Sequence, residues 1–276
     1  MQPAESFESE QTDAAGERSA LRGDPTTASR ARIRTEILLV LGLSLGASAV
    51  YSIVSIIDLS TRRAPLSSNT AKLNVPLNNR EVFALVYQLL GIVFDLAPVA
   101  LVIFLLWNAT KPHLSRLGID SHRPGRDALA GLALAAIIGI PGIALYLGGR
   151  ALGLTVTVDP NSLGGYWWTI PVLLLSALRA GLQEEIIVIG YLFARLRDLG
   201  WGKWQIILTA AVLRGSYHLY QGWGSFIGNI AMGVLFGWLY TRYRRVLPLV
   251  IAHFLIDAAV FVGYPWVAAT FPALFG

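Results

Sequence analysis

The stretch GLQEEIIVIGY (residues 181–191) places two adjacent glutamates, Glu184 and Glu185, inside an apolar run that extends from Trp167 to Leu196. An ionised carboxylate at a bilayer centre costs about 2.5–3.5 kcal/mol on insertion scales, so ionisable residues in such runs default to functional candidates. Others follow downstream. Arg214 and His218 in LRGSYH are four residues apart, as are His253 and Asp257 in HFLID, so each pair shares one helix face. Glu184 and Glu185 diverge by about a third of a helical turn, so only one of them is expected to point squarely at a shared centre.

Carboxylates with imidazoles suit water activation, in which a glutamate accepts the proton of water and a histidine relays or donates protons. A further polar pair would hold the developing oxyanion. The same residue types also fit a zinc site of two histidines and a carboxylate with an open position. The chain has no cysteine, which excludes thiolate chemistry and a disulfide framework. Asp95 and Arg179 also fall within apolar runs, and they are expected to pair with each other as a bond between helices.

The elements that must carry these residues are membrane spans. Of the 276 residues 54% are hydrophobic and only 14% charged, about half the charged share of a soluble domain. Runs of the required length fall at 37–58, 82–107, 128–148, 167–194, 205–222, 225–241 and 247–263. They predict an all-α, polytopic bundle of seven transmembrane helices, or eight if the apolar tail to Gly276 forms another. Gly181 and Ala177, before the glutamates, would admit a close neighbour. Gly224 and Gly228, then Gly233 and Gly237, give small-residue spacing on the sixth span.

Residues 1–34 are polar and lack apolar periodicity, which predicts a disordered cytoplasmic tail before a transmembrane domain at 35–276. The tail has no signal-peptide pattern. With the N-terminus inside, fifteen basic residues fall in cytoplasmic segments against five outside, and the opposite orientation would invert that ratio. Trp107, Trp167, Trp168, Trp201, Trp204, Trp223 and Trp266 lie near span ends, as interfacial rings do. The net charge of +5 therefore reads as membrane topology, and no nucleic-acid partner is expected.

Three segments taken together resemble the CPBP family of intramembrane proteases, which includes the CAAX prenyl endopeptidases and the bacterial Abi-type proteins. The family pattern EExxxR, FxxxH and HxxxN or HxxxD is similar to EEIIVI at 184–189, RGSYH ending at His218, and HFLID from His253 to Asp257. The resemblance covers about residues 165–262. It implies a glutamic-type endopeptidase in the cell membrane, acting without metal or cofactor on membrane-proximal or lipid-modified peptides. Its cavity would open toward the cytoplasm. Glu184 and His218 would activate water, and His253 and Asp257 would stabilise the oxyanion. Asp257 stands where many relatives carry Asn, so it must be protonated there or must orient His253.

Two positions depart from the pattern. Ile189 replaces the motif arginine, and Arg214 replaces the motif phenylalanine. Arg214 is expected to supply the missing cation from the facing helix by pairing with Glu185. The alternative from another class is a catalytically inactive membrane scaffold or a transporter using the same polar cluster. A transporter would favour repeated halves with interrupted helices, whereas these ionisable residues crowd the C-terminal half.

Overall fold

In the computed structural model the structure describes residues 25–107 and 113–270, and the chain divides into units of residues 1–39 and 40–276. The protein is nearly all-α, with 76% of the described residues helical. The expected tail lies outside the described residues as far as 24. Residues 25–34 correct that expectation, because they are helical, within α1 (Pro25–Gly42). Pro25 opens the helix at the position where a missing N–H costs nothing, and the Ala and Arg residues that follow are good helix formers.

The second unit continues with α2 (Leu45–Thr61), β1 (Thr70–Lys72), α3 (Glu81–Asp95), α4 (Ala97–Leu105), the short α5 (His113–Arg116) and α6 (Pro124–Ala151). After β2 (Thr157–Asp159) come α7 (Thr169–Glu184), a π-helical segment Glu185–Tyr191, α8 (Leu192–Asp198) and α9 (Lys203–Ser216). A 3-10 turn at Leu219–Gln221 leads to α10 (Trp223–Tyr243) and α11 (Leu247–Ala258). A second π segment, Ala259–Gly263, joins α11 to α12 (Tyr264–Thr270).

Among the described residues three helices pass a length-and-hydropathy test for crossing a membrane: Glu81–Leu105, Pro124–Ala151 and Leu247–Val267. The helices on either side of residues 43–44 pass when taken together, which makes four. Seven or eight crossings do not emerge from this test, for a physical reason. The helix bearing Glu184 and Glu185 is also the one with Arg179, and α9 stops after 14 residues. At about 1.5 Å per residue α9 is roughly 21 Å long, short of a hydrocarbon core of about 30 Å. The run 205–222, expected as one helix, is thus broken at Ser216. Near the C-terminus, α12 continues α11 through the second π segment as far as Thr270, and residues 271–276 lie outside the described residues.

Polar segments gather at two ends. At one, β1 and β2 pair in parallel with Thr70 opposite Thr157 and Lys72 opposite Asp159, while Thr155 bridges Gly222. Gly222 has φ 98°, and a Cβ there would meet the Leu154 carbonyl at 2.7 Å, so only glycine fits this crossing. Beneath it Ile56, Leu66, Val156 and Leu219 form a buried cluster. At the other end Arg195 Nη2 donates to the Leu105 carbonyl at 2.7 Å, and the Val246 N–H to the Leu117 carbonyl at 2.8 Å. Arg245 binds both Asp120, at 3.0 Å, and Asp127, at 2.5 Å. Arg245 and then the His122 N–H hold the Asp120 carboxyl well below the usual carboxylate range; Asp127 and then Asp120 hold the Arg245 guanidinium well above its own.

Small residues bring the site helices together. A Cβ on Gly181 would lie 3.1 Å from the Val250 carbonyl and 3.6 Å from the His253 Cβ, so α7 and α11 approach nearly backbone to backbone. Gly233 of α10 does the same against Ala211 of α9, and Gly237 makes room for the Phe193 and Ile207 side chains.

Candidate functional site

α7 presents the glutamates where its hydrogen bonding changes from α to π, a bulge that often accompanies functional sites. Both glutamates reach one guanidinium. Arg214 Nη2 donates to Glu184 Oε2 at 3.1 Å and also binds Glu185 Oε1. Its Nη1 reaches Glu185 Oε2 at 3.4 Å. Two long side chains leaving the wider turn of the π segment can converge where an ideal α-helix would hold them apart.

The two carboxylates nevertheless have different surroundings. The Glu185 side chain is 0% exposed, whereas that of Glu184 is 10% exposed and lines a cavity of about 520 Å³. Glu185 is sealed between Arg214 and His253, whose Nδ1 lies 2.7 Å from Glu185 Oε1. Glu184 borders the cavity with Tyr217 and His218.

Arg214 is fully buried and its Cζ lies 5.4 Å from the centroid of the Phe236 ring. Nη2 is also 3.1 Å from His253 Nδ1. The guanidinium therefore touches both glutamates and the histidine of α11, from the position where the family motif has phenylalanine. Ile189 is wholly buried in the π segment.

Both histidines reach Glu184. His218 Nε2 is 3.7 Å from Oε2, and His253 Nε2 is 4.0 Å from Oε1. Asp257 Oδ2 lies 3.5 Å from His253 Nε2, one helical turn on. His218 does not continue the helix face of Arg214, since α9 has ended and His218 opens the 3-10 turn. Its ring nitrogens have no hydrogen-bond partner among the described residues.

Sequence reasoning missed Tyr217. Its hydroxyl donates to Glu184 Oε2 at 2.7 Å, and its carbonyl accepts from Ser52 Oγ of α2 at 3.0 Å. The available signal was an aromatic residue with a polar handle beside a motif histidine. Glu184 Oε2 thus accepts from Tyr217 and Arg214, while Oε1 accepts no hydrogen bond from the described residues. Asp95 and Arg179 do pair, at 3.1 Å, and the cavity wall includes both. Among the described residues no group of three His, Asp or Glu side chains is arranged to hold a metal ion.

Fold and site together describe a helical membrane protein with a polar centre enclosed among its helices. Residues 166–259 match the Rce1-like family, described as type II CAAX prenyl endopeptidase, which agrees with the family that the three motifs resemble. All six residues singled out from the motifs, Glu184, Glu185, Arg214, His218, His253 and Asp257, lie within the match. No curated protein and no solved structure matches the chain.

Proposed function

We propose that the protein is an intramembrane endopeptidase in which Glu184 activates water against a peptide carbonyl. The observation that carries this reading is the asymmetry of the glutamate pair. Glu184 alone opens on the cavity, with Oε2 held by Tyr217 and Arg214 and Oε1 left for water. Oε1 takes one water proton while the water oxygen bonds to the carbonyl carbon, whose π electrons move to oxygen. His253 Nε2, 3.5 Å from Asp257 and 4.0 Å from Oε1, donates to that oxyanion. Collapse breaks the C–N bond, and the proton on Glu184 passes to the leaving amine. His218, on the cavity wall, orients the water or the carbonyl.

Glu185 and Arg214 support this machinery. With Ile189 in the motif position, Arg214 supplies the positive charge that keeps two adjacent carboxylates in one buried site. The same charge argues against a metal, because Nη2 lies within 3.1 Å of both Glu184 and His253, where a divalent cation would be repelled.

Seven crossings with a cytoplasmic N-terminus account for the two groups of polar segments. Successive reversals put the linkers carrying β1, β2 and Gly222 on one side, and those carrying Asp120, Arg245 and the end of α8 on the other. The second group holds the excess of arginine and faces the cytoplasm. The catalytic core is the segment of about 165–262, the substrate is a peptide or protein in or near the membrane, and the site is a multi-pass one in the cell membrane.

The test is proteolysis by the purified full chain with and without Glu184→Gln. The amide cannot accept the water proton, so turnover vanishes while thermal stability stays near wild type; EDTA leaves wild-type turnover unchanged. Undiminished turnover in the variant removes Glu184 from the mechanism. A wild-type protein inert toward every peptide supports the scaffold instead.

A further inference from the structure

We infer, resting on the hydrolase reading, that the cavity at Glu184 receives a polar, unlipidated stretch of extended peptide and holds no isoprenoid chain. Small-molecule pockets are lined mainly by apolar and aromatic side chains. This one is different. Among the described residues that line it, Leu45 and Ala180 are aliphatic, Tyr51, Tyr217 and Tyr220 are aromatic with polar tips, and the other eight are polar or charged, although the helices around it are apolar on their outer faces.

Its two walls are complementary in kind. On α2, Ser48, Ser52 and Ser55 share one face; opposite stand Asp95, Arg179 and Gln183. Arg179 Nη1 lies 3.1 Å from Asp95 Oδ2 and donates to Gln183 Oε1 at 3.1 Å. The Asp95 side chain is 53% exposed although it lies in the middle of the candidate span Glu81–Leu105. Such a surface is tolerated at membrane depth where it borders water or polar substrate.

The dimensions suit a peptide main chain. From Ser48 to Ser55 the α2 wall is about 10 Å long, roughly three residues of extended strand. An extended backbone offers N–H and C=O groups that need partners once they leave water, and serine hydroxyls both donate and accept. A farnesyl chain could use only Leu45, Ala180 and the tyrosine rings, and it would strip the serines, Asp95 and Arg179 of hydration. Any lipid anchor on the substrate therefore stays among the bilayer lipids.

The absence of native cysteine makes the test direct. Ser55→Cys puts a single thiol on the cavity wall, and Ile57→Cys puts one on an exposed position of the same helix. In the full chain in liposomes, a water-soluble methanethiosulfonate should label Ser55→Cys about tenfold or more faster than Ile57→Cys, because the reactive thiolate forms only where water reaches. An equimolar pool of unlipidated hexapeptides should slow labelling at position 55 several-fold, and farnesyl-cysteine methyl ester should leave it unchanged. Slow labelling of Ser55→Cys, protection by the farnesyl compound, or protection by neither probe overturns the assignment. Cleavage of the same pool, with and without S-farnesyl cysteine, separates the two readings. Protection by unlipidated peptide without any cleavage leaves the cavity assignment standing and removes the hydrolase. Cleavage and protection restricted to the farnesylated pool do the reverse.

Discussion

Replacing Arg214 by Phe returns one motif position to the family pattern, yet in this chain it should be severely damaging. Arg214 is 0% exposed and binds Glu184, Glu185 and His253 at once. Its removal leaves Glu185, also 0% exposed, with His253 as its remaining close partner, and sets two adjacent carboxylates against each other. Breaking a buried pair by deleting one member costs about 3–5 kcal/mol. At roughly 2–4 °C per kcal/mol for a chain of this size class, thermal unfolding in detergent should fall by about 10 °C. Turnover should fall with it. Adding Ile189→Arg should restore much of both. Position 189 lies four residues after Glu185, and the wider turn of the π segment keeps residues four and five apart on the same side. The assay is a double-mutant cycle read by unfolding temperature and turnover. A double variant no better than Arg214→Phe alone refutes the idea that one cation serves this site from either helix.

Tyr217→Phe removes one of the two donors to Glu184 Oε2 while nearly preserving shape. A hydrogen bond to a charged group contributes about 1.5–3 kcal/mol, so turnover should drop about tenfold or more at little cost in unfolding temperature; unchanged turnover would mean that Arg214 alone fixes the carboxylate. Outside the membrane, Asp120 has its carboxyl held low by Arg245, so its stabilising contribution is full above the ordinary carboxylate pKa of about 4 and is lost as pH falls below it. Unfolding temperature should therefore decline more steeply between about pH 5 and pH 3 in the wild type than in Asp120→Asn, and parallel curves would show that this ion pair carries no pH-dependent stability.

The glutamate pair, both histidines, Asp257 and the Arg214–Glu185 contact were legible because ionisable residues stand out against an apolar background and their spacing survives translation into helices. The exit from that regularity was not legible. Nothing in EIIVIGY distinguishes a π from an α segment, since the choice is made by how α7 packs on its neighbours. The end of α9 was harder to place: Arg214, Gly215, Ser216 and His218 interrupt the apolar run without a proline to stop the helix, and it is the Gly222 crossing with Thr155 that turns the chain. Tyr217 became visible only once that break had aimed its hydroxyl back at Glu184. β1 and β2, with three residues each in separate linkers, carry too little pattern to announce their pairing.

The crossing of β1, β2 and Gly222 also decides how the cavity can widen. It joins the linkers after α2, after α6 and after α9, and the packing of Ile56 against Leu66, Val156 and Leu219 anchors the C-terminal half of α2 to that junction. At its other end α2 begins at Leu45, just beyond a break in the helix at residues 43–44. Ser52, bound to the Tyr217 carbonyl, and Ile56 together hold its C-terminal part. A small rotation there moves Ser48 further than Ser55, so the wall swings most at its Leu45 end and least beside the junction.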